Sequence, residues 1–280
     1  WATYALGRNA THLFGGTLSG VGVIDLSSFS VEDTWETQSA DNAPVEVIGD
    51  VAYIGLDGLG VARWDLVNGA WLSLWDRTGV LDTDGITGLV AGTQANTMWV
   101  GGDDGFQLID VVNATELVDI EKGNSIYLGS GDPFDLLMIG DMLYYHQSTS
   151  SDRIFRIDTT ALSTAQSALD IGDRLGQNTA GLGVAGLDRI GDVLIASAVS
   201  TQWWNVEGSG GVVRWDTVNG SWLPDILPDS SVERMESLVS SSGDLWVQFD
   251  SERLERWGAN GTLLNQWTGS DVPSLPSGAN

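Results

Sequence analysis

The chain has no cysteine, two histidines and a single lysine, Lys122, in 280 residues. Each shortage closes off a class of chemistry. Without cysteine there is no disulfide scaffold, no thiolate zinc site and no cysteine nucleophile. Twelve Lys+Arg stand against 38 Asp+Glu, for a formal charge of −26. Phosphate neutralisation needs clustered cations, so a nucleic-acid partner is excluded. No apolar run reaches the roughly 18 residues that mark a membrane span, so membrane insertion is not expected. The chain opens at Trp1 without a basic, apolar leader. That start predicts a mature form or part of a longer polypeptide.

What is present is periodic. Hydrophobic residues make up 42% of the chain, enough for a large core, so disorder is not expected. Residues 61–72 read VARWDLVNGAWL and residues 212–223 read VVRWDTVNGSWL, identical at nine of twelve positions and 151 residues apart. An apolar strand ending in Asp recurs at Asp25, Asp65, Asp110, Asp158 and Asp216, with Gly258 in that place in a sixth copy. The spacings are 40, 45, 48, 58 and 42 residues. They centre on the roughly 40–50 residues of a propeller blade.

One unit shows the grammar of all. Strand a is 86–90, strand b 97–101, strand c 106–110 and strand d 115–120, each bounded by Gly, Asn or Asp. Asn68-Gly69, Asn219-Gly220 and Asn260-Gly261 fall between strands c and d, where Asn-Gly predicts two-residue type I′ hairpins. No 3.6-residue pattern is sustained, so no helix is predicted. Six units follow: 1–38, 42–80, 84–122, 134–172, 182–228 and 232–268. A four-stranded unit buries both faces only by stacking on its neighbours. The predicted fold is all-β, a β-propeller of six four-stranded antiparallel blades, with a seventh, incomplete blade as the variant. Residues 1–268 form one domain and 269–280 a C-terminal tail. Trp64, Trp215 and Trp257 in strand c, and Trp71 and Trp222 in strand d, are expected as wedges between blades. The strand-end Asp is expected to bond backbone amides of the c–d turn.

At TMWVGGDDGFQLID (97–110) and DLWVQFDSERLERW (244–257) the chain resembles the repeats called two-component regulator propellers. ATHLFGGTLSGVGVID (10–25) and DVAYIGLDGLGVARWD (50–65) are similar to degenerate copies. The resemblance implies a propeller and, from the family's common use, a sensory ectodomain of a signalling protein.

Catalytic signatures are sparse. His12 and His146 fall in different units, the pattern of exposed or hydrogen-bonded side chains rather than a catalytic pair. No G-x-S-x-G occurs, and Lys122 fits no phosphate loop. GLGVAG at Gly181–Gly186 matches a dinucleotide fingerprint, but it enters a strand-like segment where that motif must open a helix.

Carboxylates remain. In a propeller the b–c loops and d–a connections share one face. The b–c loops carry Asp57, Asp103, Asp104, Asp152, Glu207 and Asp250; the d–a connections add Asp82, Asp84, Asp132, Asp173 and Asp229. Calcium (Ca2+) is the cation for such hard oxygen donors, and Asp57, Asp103, Asp104, Asp152 and Asp250 are its candidate ligands. The alternative is a solvated, self-repelling rim. The fifth b–c loop, STQWWNVEGSG (200–210), is about ten residues longer than its counterparts, and long loops in a tight repeat commonly serve function. Its Trp203, Trp204, Asn205 and Glu207 are candidate contacts for a protein, peptide or glycan. Sequons at Asn9, Asn113, Asn219 and Asn260 lie in a–b and c–d loops, the opposite face, and would suit a glycoprotein.

Three functions fit. The first is a non-enzymatic binding, sensory or adhesive propeller using the b–c face, extracellular, cell-surface or periplasmic. The second is a calcium-assisted polysaccharide hydrolase or lyase. The third is a structural module of a larger surface protein.

Overall fold

The computed structural model describes residues 3–8, 11–17, 20–28, 30–36, 43–83, 85–122, 131–147, 153–162, 168–171, 182–200, 211–225, 235–241, 243–249 and 254–267. Among them there is no helix. The strands form six sheets of four antiparallel strands, each a meander in chain order. Sheet 1 holds β1 (Thr3–Arg8), β2 (His12–Thr17), β3 (Gly20–Asp25) and β4 (Ser30–Glu36). Sheet 2 holds β5 (Val45–Ile48), β6 (Val51–Leu56), β7 (Gly60–Asp65) and β8 (Ala70–Trp71). Sheet 3 holds β9 (Ile86–Ala91), β10 (Thr97–Gly102), β11 (Gly105–Asp110) and β12 (Thr115–Glu121). Sheet 4 holds β13 (Pro133–Ile139), β14 (Met142–Gln147), β15 (Arg153–Asp158) and β16 (Ala168–Asp170). Sheet 5 holds β17 (Leu182–Ile190), β18 (Val193–Ser200), β19 (Gly211–Asp216) and β20 (Ser221–Trp222). Sheet 6 holds β21 (Met235–Ser241), β22 (Asp244–Phe249), β23 (Leu254–Gly258) and β24 (Leu263–Trp267). These are the six units read from the repeat. The GLGVAG run enters β17, a strand, so it has no helix N-terminus on which to hold a pyrophosphate.

Two-residue hairpins do occur, but at the a–b turns. Ile48 pairs with Val51 and Ile190 with Val193 across Gly-Asp. Gly49 and Gly191 both have φ of +59°, as the first position of a type II′ turn requires. The c–d turns depart from the expected type I′ geometry. Asp65 pairs with Ala70, so the loop runs over the four residues Leu66 to Gly69. Gly69 adopts φ +59° and Gly220 +62°, while neither Asn68 nor Asn219 has a positive φ. The reason is the strand-end Asp. Asp65 Oδ1 accepts the N–H of Val67 and of Asn68, each at 2.9 Å, and Oδ2 accepts Asn68 Nδ2 at 2.7 Å. Side chain and backbone together hold a right-handed turn and leave only Gly69 left-handed.

The same device recurs. Asp110 and Asp216 make the equivalent three bonds, Asp25 binds the amides of Ser27 and Ser28, and Asp158 binds the amide and hydroxyl of Thr160. These bonds favour the ionised form and lower all five carboxyl pKa values. A side-chain donor is the largest cause at Asp25, Asp65, Asp110 and Asp158, and the Asn219 backbone N–H at Asp216.

The chain divides into two compact units, Trp1–Met138 with Ser163–Ala165, and Ile139–Leu162 with Gln166–Asn280. In the first, sheets 1 and 2 meet through Phe14, Val21 and Val23 against Ala52, Ile54, Ala62 and Trp64. Trp71 stands edge-on to Trp64 at 4.9 Å and to Trp35 at 5.0 Å, the interblade wedge expected of it. Sheets 2 and 3 meet through Tyr53, Val61 and Trp75 against Ile86, Met98, Val100 and Ile109. In the second unit, Ile195 and Val212 of sheet 5 pack on Leu245 and Val247 of sheet 6, with Trp257 against them. Trp215 and Trp222 repeat the edge-on pair at 5.0 Å. Burial on both faces explains why β10 is buried at every position, while in β12 only Ile120 is.

Candidate functional site

The b–c loops of sheets 2 and 3 present Asp57, Asp103 and Asp104. Asp152, Asp250, Trp203, Trp204, Asn205 and Glu207 lie outside the described residues. The d–a connection that enters sheet 3 lies against the b–c loop of the same sheet. The Asp103 N–H donates to the Gly85 carbonyl at 3.1 Å. The Asp103 carboxylate lies over Gly85 itself, whose added Cβ would sit 2.4 Å from Oδ2. Thr83 covers Gly102 in the same way, its Oγ1 2.6 Å from the place of a Cβ. Gly102 also faces the Gly85 backbone carbonyl, 2.8 Å from the place of a Cβ, so glycine is needed there, while at Gly85 the neighbour is the end of an exposed side chain. These approaches place Thr83, Gly85 and the GGDD loop on one side of the blade.

Charge gathers around this contact. Lys122, at the end of sheet 3, pairs with Asp132, and its backbone N–H donates to the Asp104 carbonyl at 2.8 Å. Arg77 reaches Asp104 at 3.2 Å, with both side chains exposed. Burial raises the pKa of Asp103, and the neighbouring Asp132, Asp57 and Asp104 add to the rise against the pull of Lys122. Asp103 is thus the focus of the acidic patch. Beside it, the hydroxyl of Thr83 is buried at 3% exposure and has no hydrogen-bond partner among the described residues.

A second carboxylate group sits on strands c and d of the same sheet. Gln107 donates Nε2 to Glu116 at 2.7 Å and accepts the Asp82 N–H at 2.9 Å. Partial desolvation raises the pKa of the exposed Glu116, and Asp82 and Asp119 raise it further against the Gln107 bond. Burial, then Glu121, raises Asp119. Among the described residues no three His, Asp or Glu side chains come together in a way that could hold a metal ion.

The histidines have packing roles. His12 Nδ1 shares a 2.8 Å hydrogen bond with Thr11, Nε2 faces Glu32 at 3.1 Å, and the ring is nearly buried. His146 is also buried.

Sequence reading overlooked the arginine two residues before the strand-end position. Arg63 clamps the Ser73 carbonyl through Nε and Nη2 at 2.9 and 2.7 Å. Arg214 clamps the Pro224 carbonyl in the same way at 2.9 and 2.7 Å, and adds Ala259 at 2.6 Å. Arg256 pairs with Asp244 and lies over the Trp246 ring. The signal was available in the repeated R-W-D and R-W-G triplets. Arg63 and Arg214 fix the chain after strand d, and Arg256 braces strand b of its own sheet.

No protein-family model matches the chain, and no curated protein matches it. Solved structures do match. The computationally designed Ika8 protein aligns with a TM-score of 0.62 at 16% identity, over 96% of this chain and 75% of that one. BamB from Moraxella catarrhalis, a β-propeller, aligns with a TM-score of 0.59 at 16% identity, over 94% of this chain and 76% of that one. Likeness at this identity concerns the fold and not the site. Four-stranded meanders, face-to-face stacking and these neighbours together establish an all-β, β-propeller-like fold.

Proposed function

We propose that this chain is a non-enzymatic binding or sensory β-propeller whose b–c side, centred on Asp103, takes a cationic ligand. The observation that carries the reading is geometric: the Asp103 amide is bonded to Gly85 and Asp104 to the Lys122 amide, which sets the GGDD loop beside the d–a connection and the Lys122–Asp132 pair. Carboxylates on one side of a blade create a negative field that attracts a cation. A basic peptide segment or calcium meets that need. The Trp203–Trp204 loop belongs to the same proposal as an aromatic contact for a peptide or glycan. The resemblance to two-component regulator repeats supports a sensory setting, since 97–110 forms the b–c hairpin of β10 and β11 that the motif describes. A one-lysine, −26 chain suits an extracellular, cell-surface or periplasmic medium. No helix among the described residues is long and apolar enough to cross a membrane. A single domain over residues 1–268, with a C-terminal tail after it, belongs to the same proposal.

Calorimetric titration with calcium and, separately, with an Arg-rich peptide tests it. The expected result is saturable binding of one of them that Asp103→Asn weakens and Asp135→Asn leaves alone. Binding unaffected by Asp103→Asn overturns the site.

A second reading, a hydrolase or lyase acting on a polysaccharide, draws on the same group of carboxylates as general acid and base. Released sugar ends from a polysaccharide panel, abolished by Asp103→Asn, would replace the first reading with this one.

A further inference from the structure

Three Asn-Gly steps occur, at Asn68, Asn219 and Asn260, and the structure holds the third differently. Asn-Gly is the step most open to attack by the backbone on the side chain, because glycine places no Cβ in the way. The glycine nitrogen attacks the Asn Cγ. The new N–Cγ bond forms, the Cγ–Nδ2 bond breaks, and Nδ2 leaves as ammonia with the proton of the glycine amide. Water then opens the succinimide to aspartate or isoaspartate. Oδ1 carries negative charge in the intermediate, so a nearby carboxylate retards the reaction and an N–H donor to Oδ1 assists it.

Asn68 and Asn219 sit against such a carboxylate. Each donates Nδ2 to the strand-end Asp at 2.7 Å, Asp65 and Asp216 respectively. At the third step Gly258 stands in the strand-end position, so the turn has no Asp to grip the amide. Asn260 is exposed, and its Oδ1 accepts the Thr262 N–H at 3.1 Å. The backbone does not separate the three. Gly69 and Gly220 each donate to the carbonyl four residues back at 3.0 Å, and Gly261 donates to Gly258 at 2.8 Å. The difference lies in what faces the side-chain amide, a carboxylate in two turns and an N–H donor in one.

We infer that Asn260 is a site of spontaneous deamidation, and that Asp65 and Asp216 protect the other two Asn-Gly steps. An aspartate at 260 keeps Oδ1 for the Thr262 N–H. It also supplies a carboxylate to the c–d turn that lacks one.

Peptide mapping by mass spectrometry, during incubation of the full, unglycosylated chain at mildly alkaline pH, tests this. Asn260 is expected to convert about tenfold faster than Asn68 or Asn219, the size of effect one close charge exerts at a surface. In denaturant the three rates converge. Asp65→Asn keeps the turn's acceptor, removes its charge and speeds Asn68 alone; Asp216→Asn does the same for Asn219. Equal rates in the native chain overturn the inference, as does a native-chain order that persists in denaturant. Acceleration of Asn260 by Asp65→Asn would trace the effect to general unfolding and overturn it too.

Discussion

The carboxylate of Asp103 occupies the space above Gly85 that a side chain would fill, with Oδ2 2.4 Å and Cγ 2.5 Å from the place of the missing Cβ. One glycine in the d–a connection therefore sets where the focal acid of the b–c side lies. Gly85→Ala should turn the exposed carboxylate aside, at a cost of about 0.5–1 kcal/mol in urea denaturation. Pairing it with Asp103→Gly should restore most of that loss, because the clash needs both partners. An additive double mutant would refute the contact.

Ala114 holds φ +52° at the turn position where Gly69 and Gly220 stand in the equivalent blades. A Cβ there is strained. Ala114→Gly should stabilise the chain by about 0.5–1 kcal/mol, after the added freedom of the unfolded glycine is subtracted. The reverse change, Gly69→Ala, should destabilise it. Thermal melts of the two variants read both signs.

Arg214 is 5% exposed and answers two carbonyls with three hydrogen bonds. Lysine cannot reproduce that planar fork. Arg214→Lys should cost about 2–3 kcal/mol, since the Pro224 and Ala259 carbonyls lose charge-assisted donors. Equilibrium unfolding at unchanged m-value measures it.

Stability should pass through a maximum in mild acid. Asp103, Glu116 and Asp119 have raised pKa values when folded. Their contribution is full below the unfolded pKa and is lost as pH rises through the folded one. The five strand-end carboxyls are lowered, Asp65 and Asp216 among them. Theirs is full above the ordinary carboxylate range, about 4, and is lost as pH falls through the folded value. Melting temperature should therefore rise as pH falls from neutral toward the ordinary carboxylate range, then fall below it. Asp103→Asn should flatten the rise, and Asp65→Asn should blunt the fall. A melting temperature that only declines from neutral pH would contradict the assignment.

The blade plan was legible because its causes are local. Strands 86–90, 97–101, 106–110 and 115–120 emerge as β9 to β12 within a residue at each end. Gly, Asn and Asp punctuate them, and each apolar run is short enough to be one strand. The strand-end Asp was readable for the same reason, since it bonds amides two and three residues onward. Its consequence was not readable. Asn68-Gly69 alone calls for a type I′ hairpin, and the Asp65 carboxylate overrides that preference.

The order and type of the strands, their length and the need to stack were thus already settled by residue pattern, because side-chain alternation and turn chemistry act within a few residues. The grouping of the carboxylates was settled by folding. Asp103 and Asp132 are 29 positions apart in the chain, and Gly85 belongs to a different loop from either. Their influence on one another depends on distance in space and on burial, two quantities that strand periodicity does not encode. The same holds for Arg63, whose partner is the backbone carbonyl of Ser73, a group that every residue possesses and no sequence motif can mark.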